Sequence, residues 1–133
     1  MLNIGTTTEK VARALFSHKN LVVISNNVNI TNTLIGSNPK ELILAGGAIR
    51  LSDGAIIGDS TVDFISNYKA DFAIIGASAL DEEGSILDFG PREVAVAKSI
   101  LENSRKKILV CDSSKFKITA PHRISNVSDI DIF

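Results

Sequence analysis

Short aliphatic runs alternate with amphipathic stretches along the chain. Leu2-Asn3-Ile4 reads as the stub of a strand that ends at Gly5-Thr6-Thr7-Thr8. From Glu9 to Ser17, Val11, Ala12, Ala14 and Leu15 fall at helical spacing. Leu21 to Ser25 has the continuous apolar character of a strand buried on both faces, and Asn26-Asn27 stops it. Asn29 to Ile35 predicts a short helix, against the low helix propensity of its Thr and Asn residues. Glu41 to Ala45 is a third strand, closed by Gly46-Gly47, and residues 48–58, with Gly54 and Gly58, predict an irregular loop or a hairpin. Asp59 to Tyr68 resumes helical spacing through Val62, Phe64, Ile65 and Tyr68, with Asp59 or Ser60 as its cap.

The second half repeats the theme. Phe72 to Ile75 predicts a strand ending at Gly76, and Asp81-Glu82-Glu83-Gly84 a turn. Pro91 suits the first turn of a helix, where its missing donor costs nothing, and Val94, Ala97, Ile100 and Leu101 mark the buried face. Arg105-Lys106-Lys107 would then complement the dipole at that helix end. Lys107 to Cys111 is the next strand, stopping at Asp112-Ser113-Ser114-Lys115, and Asp129 to Phe133 is another strand-like run. Strand and helix alternating at this spacing predict an α/β fold, a mostly parallel sheet covered by helices. Both ends look cut, so the chain is expected to be a domain excised from a longer protein.

Composition narrows the function. Apolar residues make up 44% of the 133 residues, and Ile, Leu and Val dominate while Trp is absent, which suits a buried sheet better than an aromatic binding platform. The formal net charge is -1. Residues 1–66 hold five basic and five acidic side chains and residues 67–133 hold nine and ten, so neither half has the basic footprint of a nucleic-acid binder. Cys111 stands alone, which excludes an internal disulfide and fits a reducing cytoplasm; its place in a strand reads as core rather than nucleophile. His18 and His122 lack metal spacing, and no apolar run approaches membrane-spanning length. The expectation is a cytoplasmic domain with no metal, no cofactor and no membrane partner.

Ligands of open parallel sheets gather beyond the carboxyl ends of the strands. Here those ends carry Gly5-Thr6-Thr7, Asn26-Asn27, Gly46-Gly47, Gly76-Ala77-Ser78 and Asp112-Ser113-Ser114-Lys115. Gly5-Thr6-Thr7-Thr8 precedes a helix, so backbone donors and three hydroxyls meet the positive end of its dipole, a setting for phosphate or carboxylate. Thr7 or Thr8 would serve equally as a plain helix cap. The loop is not a Walker motif, because the G-x-x-x-x-G-K-[ST] spacing and its Lys are missing. Gly46, Gly47 and Arg50 offer backbone and a guanidinium fork to an anion, or a simple turn with a surface Arg. Asp81, Glu93 and Lys115 lie near strand ends or a helix start and could meet hydroxyls or charge; solvated turn charge is the plain alternative, above all at Asp81.

Taken in order, these segments resemble the C-terminal effector-sensing domain of the DeoR family of bacterial transcriptional repressors. The resemblance runs through Gly5-Thr6-Thr7, Val23-Ile24-Ser25-Asn26-Asn27, Leu44-Ala45-Gly46-Gly47 with Arg50, and Gly58. It continues through Asp71-Phe72-Ala73 to Gly76-Ala77-Ser78, then Asp81, Gly84, Glu93, Ser104 and Asp112-Ser113-Ser114-Lys115-Phe116, and so covers essentially the whole chain. It implies a fold similar to ribose-5-phosphate isomerase and the coenzyme A transferases, and a phosphorylated sugar or polyol as effector. It further implies a homo-oligomer that reaches DNA only through an N-terminal winged helix-turn-helix absent from this chain.

By the same resemblance Gly5, Thr6, Thr7 and Thr8 cradle the phosphate, Asn26, Gly46, Gly47 and Arg50 line the rim, and Gly76, Ser78, Asp81, Glu93 and Lys115 complete it. Within the family, Asn26-Asn27-Val28-Asn29-Ile30 and the stretch Ile56-Ile57-Gly58-Asp59 to Phe64-Ile65-Ser66 match members concerned with glycerol metabolism, which implies sn-glycerol 3-phosphate. Asn3 stands where the family often has Asp, which is expected to weaken a loop-ordering contact. Isomerases of this fold carry Gly-Ala-Asp-Glu where this chain has Gly76-Ala77-Ser78-Ala79. Serine cannot act as a carboxylate base, so sensing is expected over the alternatives, an isomerase-like enzyme or a ligand-free interaction module.

Overall fold

The computed structural model describes every residue from Met1 to Phe133. Along the chain run α1 (Thr6–Leu15), β1 (Val22–Ser25), α2 (Val28–Ile35), β2 (Glu41–Leu44), β3 (Ala48–Arg50), β4 (Ala55–Ile57) and α3 (Asp59–Ser66). They are followed by β5 (Ala70–Ile75), β6 (Ala79–Leu80), β7 (Ser85–Asp88), α4 (Pro91–Glu102), β8 (Ser104–Leu109) and β9 (His122–Asn126). β1 pairs parallel with β2, and β5 parallel with β8. Leu2 joins the two halves by parallel bridges to Ser25 and Ile74, with Leu2 N–H donating to the Ile24 carbonyl at 2.9 Å and Asn3 N–H to the Ile74 carbonyl at 3.2 Å. Ile132 extends the far edge by a parallel bridge to Ile108.

Alternation along these strands feeds two cores. Leu2 and Val23 pack with Ala12 of α1 and Ile30 and Leu34 of α2 on one face. Met1, Ile24, Ala73, Ile75 and Leu109 turn to the other face, where α3 and α4 lie. With both faces covered, the strands read as continuous aliphatic runs rather than as an apolar–polar alternation. A second, antiparallel sheet of β6, β7 and β9 packs on the far side of α4, so that Ile86 and Ile124 share a core with Val96 and Ile100. Ile65, Ile75, Ile86 and Ile100 have no solvent exposure, and each contributes about 1.5–3 kcal/mol of burial.

The parallel α/β architecture agrees with the expectation from the sequence. Of the two readings offered for residues 48–58 the hairpin holds: β3 and β4 pair antiparallel, registered from Ala48–Ile57 to Arg50–Ala55. Other local readings do not agree. α3 is capped by Gly58 without a side-chain hydrogen bond, so neither Asp59 nor Ser60 caps it. Arg105, Lys106 and Lys107 lie on β8, not at a helix end, because α4 stops at Glu102 and the strand begins at Ser104. β8 also ends at Leu109, which places the half-buried Cys111 just beyond the strand. Asp129 to Phe133 contributes only the Ile132 bridge, and the strand in this region is β9, upstream of it.

The hairpin matters most for the site. It lies across the ends of β1 and β2: Asn26 Nδ2 donates to the Ile56 carbonyl at 3.0 Å, and Ile56 N–H returns a bond to the Asn26 carbonyl at 2.8 Å. Its loop is closed by Arg50, whose Nε and Nη2 reach Asp53 at 3.0 and 2.6 Å, while Ala55 N–H donates to the same carboxylate at 3.2 Å. The Arg50 fork holds the Asp53 carboxyl below its ordinary value of 3.8. Gly47 enters the hairpin at φ +146°, and a Cβ there would collide with Thr61 Oγ1 and lie 2.9 Å from Ile56 Cγ2.

Two outcomes follow for stability. Gly47→Ala should destabilise the domain by about 2–3 kcal/mol, through both backbone strain and the clash, read from urea unfolding midpoints. Asp53 has a depressed folded-state pKa, so its contribution is present above its unfolded value and is lost as pH falls through the folded one. Asp53→Asn, which removes the titrating group and leaves the Arg50–Glu93 pair in place, should therefore flatten the acid limb of the stability profile below about pH 5. Unfolding midpoints across that range, wild type against variant, make the comparison.

Candidate functional site

One polar cleft of about 380 Å³ opens at the carboxyl ends of the central strands, within the size range of small-ligand sites. Its floor is the end of the Leu2 strand, Ile4-Gly5-Thr6-Thr7, beside Gly76-Ala77-Ser78 after β5. Arg50 and Asp53 reach it from the hairpin, Asp88 and Phe89 from the end of β7, Glu93 from α4 and Lys115 from the 3-10 turn Ser113–Lys117.

At the floor, Gly5 adopts φ +133° and α1 begins at once, with no side chain capping it. Glu9 N–H, donating to the Gly5 carbonyl at 3.0 Å, is the first amide with an intrahelical partner. The preceding N–H groups of Thr6 and Thr7 therefore face the cleft mouth unpaired, at the positive end of the helix dipole. Thr8 is different: it is fully buried, and its hydroxyl donates to the Gly5 carbonyl at 2.8 Å, which pins the loop from beneath.

Asn3 orders the neighbouring loop. Its Oδ1 accepts from Gly76 N–H at 2.8 Å and its Nδ2 donates to the Gly76 carbonyl at 3.4 Å. A carboxylate could accept but not donate, so the expected weakening at this position is not found; the amide satisfies both groups of Gly76. Ser78 N–H then donates to the Leu87 carbonyl at 3.1 Å, which ties the loop to β7.

Glu93 is more buried than either of the side chains it shares a network with, Arg50 and Asp53. Its side chain is 12% exposed; Oε1 pairs with Arg50 Nη1, and Oε2 is buried without a hydrogen-bond partner. It sits in the first turn of α4, where the helix dipole favours an anion, and packs so closely on Gly90 that no Cβ would fit there. Arg50 is thus held twice, by Asp53 and by Glu93, and its pKa rises, first through the hydrogen bond to Asp53. Lys115, half-buried, has no ion pair. The lining holds two cations against three carboxylates.

Of the residues singled out from the sequence, Gly5, Thr6, Thr7, Arg50, Gly76, Ser78, Glu93 and Lys115 meet in this cleft. Thr8, Asn26, Gly46, Gly47 and Asp81 lie outside its lining. Asn26 anchors the hairpin, and Gly46 accepts the Thr61 hydroxyl at 3.0 Å. Asp81 stays in its turn, accepting from Ser85 N–H at 2.7 Å and Glu83 N–H at 3.0 Å, and the Ser85 bond foremost lowers its pKa. Asp53, Asp88 and Phe89 line the cleft unanticipated. The only signal for Asp53 was its spacing of three from Arg50 across a loop; Asp88 is brought in by the pairing of β7 with the unforeseen β9.

Comparison with known proteins agrees with the family resemblance read from the sequence. A family model described as the DeoR C terminal sensor domain matches residues 1–133. The chain is 46% identical over 130 residues to the glycerol-3-phosphate regulon repressor of Escherichia coli (strain K12), covering 98% of this chain and 52% of that protein. Identity to the repressor of the same name from Haemophilus influenzae is 44%, over 98% of this chain and 51% of that protein. The HTH-type transcriptional repressor CsqR of Escherichia coli (strain K12) is 32% identical, over 97% and 49%. The chain spans about half the length of these curated relatives. With the match running from the first residue to the last, the chain belongs to the family of DeoR C-terminal sensor domains.

Proposed function

We propose that the cleft binds a phosphorylated sugar or polyol, with sn-glycerol 3-phosphate as the effector, and that its occupancy controls DNA binding by a longer repressor. The observation that carries this reading is the uncapped N-terminus of α1, opening beside Lys115, the cleft cation that no carboxylate engages. Phosphate oxygens would accept from the N–H groups of Thr6 and Thr7 and from their hydroxyls, and Lys115 would offset the charge. The hydroxyl end of the ligand then lies toward Glu93 and Asp88. Identities of 46% and 44% to glycerol-3-phosphate regulon repressors support a three-carbon polyol over a hexose.

DNA contact belongs, on this reading, to an N-terminal helix-turn-helix outside this chain, whose net charge of -1 and balanced halves offer no basic face. The repressor would act in the cytoplasm as a homo-oligomer. A ligand shifts an equilibrium only by binding one state better than another, so filling the cleft would change subunit or domain arrangement. The domain senses rather than turns over its ligand: Ser78 stands where isomerases of this fold carry an acid.

At about 100 times its dissociation constant, sn-glycerol 3-phosphate should stabilise the domain by roughly 2.7 kcal/mol, seen as a thermal shift that glycerol does not produce. No shift at millimolar ligand would remove the site. Lys115→Ala should weaken binding by about tenfold by calorimetric titration while leaving the melting temperature of the free domain unchanged, since a half-buried lysine without an ion pair contributes little to stability. A coupled assay with aldose and ketose phosphates should read at background; turnover that Glu93→Gln abolishes would restore the enzyme reading.

A further inference from the structure

Asp88 was not foreseen from the sequence, yet it lines the cleft and its geometry is fixed. Its Oδ1 accepts from Ser78 Oγ at 2.8 Å and from Phe89 N–H at 2.7 Å. No protein group donates to Oδ2. The carboxylate is therefore clamped through one oxygen, leaving the other as an acceptor for a ligand. No cation neutralises it at contact distance: Arg50, near enough to feel its charge, is bonded to Asp53 and Glu93 instead.

Resting on the reading of the cleft as a phosphate-ester site, we propose that Asp88 is its specificity-determining residue, selecting esters whose other end carries neutral hydroxyls. A hydroxyl donates to the free oxygen at no electrostatic cost. A ligand whose far end is a carboxylate or a second phosphate brings a like charge against Asp88 within a site that already holds an excess of acids, and is turned away. The same repulsion orients the accepted ligand: its phosphate is driven to the floor at Thr6, Thr7 and Lys115, and its hydroxyls to Asp88. Ser78 is the positioning residue, because its hydroxyl and the Phe89 amide decide which oxygen of Asp88 remains open.

Asp88→Asn tests this cleanly. The amide oxygen can keep both the Ser78 and Phe89 bonds, while the free acceptor becomes a neutral donor. The probes are sn-glycerol 3-phosphate, 3-phosphoglycerate, which differs from it by a carboxylate in place of the terminal hydroxymethyl, and inorganic phosphate, each titrated calorimetrically. Wild type should prefer sn-glycerol 3-phosphate over 3-phosphoglycerate by at least about tenfold. In Asp88→Asn the ratio should collapse to within about threefold, chiefly because 3-phosphoglycerate gains affinity, with inorganic phosphate little changed. Ser78→Ala should narrow the ratio partially. A gain of binding cannot come from misfolding, so a merely structural role for Asp88 would show as equal loss for all three probes, and that result or an unchanged ratio overturns the proposal alone. If wild type binds none of the three, the phosphate-ester reading falls, and this inference with it.

Discussion

Everything at the cleft depends on residues 1–3 being held between β1 and β5. Without the Leu2 bridges to Ser25 and Ile74, the β1–β2 and β5–β8 pairs share no ladder, and the sheet has no centre. The same three residues aim both sides of the cleft floor. Leu2 plugs the core under α1 and α2, which sets where Gly5 turns into α1. Asn3, buried and one position on, faces the opposite way and clamps both backbone groups of Gly76. The cleft floor is thus the junction of two loops registered by adjacent residues of one short strand. Such a junction is more exact than two loops positioned separately, since strand alternation leaves no freedom in which residue faces which side.

Charge at the cleft is arranged against first expectation. An anion site would ordinarily show surplus cations, yet three carboxylates face two cations here, and Arg50 is committed to Asp53 and Glu93. On the proposed reading the arrangement is tolerable because the anion would be met by backbone amides at α1, which carry partial positive charge without needing a counterion. The acids would then serve the ligand's hydroxyls, and on that proposal a ligand charged at one end and neutral at the other suits the mixed lining.

Much of this was legible in the chain. Aliphatic runs stopped by glycine, Asn or Ser-Lys pairs gave the parallel sheet and the rim, because buried strands and their exits leave strong local marks. Gly5-Thr6-Thr7, Glu93 and Lys115 could be singled out because their chemistry sits at predictable ends of elements. Asp53 and Asp88 could not. Asp53 sits in the loop of a hairpin, and which way that loop leans is set by the Asn26–Ile56 bonds at the end of β1, not by any local period. Asp88 depends on β7 lying against β9, a strand of mixed sequence, His122-Arg123-Ile124-Ser125-Asn126, in which only Ile124 is buried. One inward residue cannot announce a strand. Conversely Asp81, placed at the rim by its proximity to a strand end, spends its carboxylate on the amides of its own turn. Local self-satisfaction of this kind is what Asp does best in turns, and sequence position alone does not separate it from a side chain turned toward a ligand.

Glu93 joins the layers of the domain into one device. It belongs to α4, whose residues Val96 and Ile100, one and two turns further along the same side, are locked in the core shared by both sheets. A carboxylate with one oxygen buried and unpaired is costly unless a cation and a helix dipole attend it, and here both do: Arg50 reaches it from the hairpin, and the first turn of α4 lies beneath it. Arg50 cannot withdraw without stranding that charge. The hairpin is therefore fastened at two points, to the end of β1 through Asn26 and to α4 through Arg50 and Glu93. Withdrawing the partly exposed Arg50 would leave the nearly buried Glu93 carboxylate uncompensated, so the hairpin, the rim of the main sheet and the helix between the two sheets are held to one another at this pair. Preorganisation of that kind is what lets a small ligand spend its binding energy on recognition rather than on ordering the walls around it.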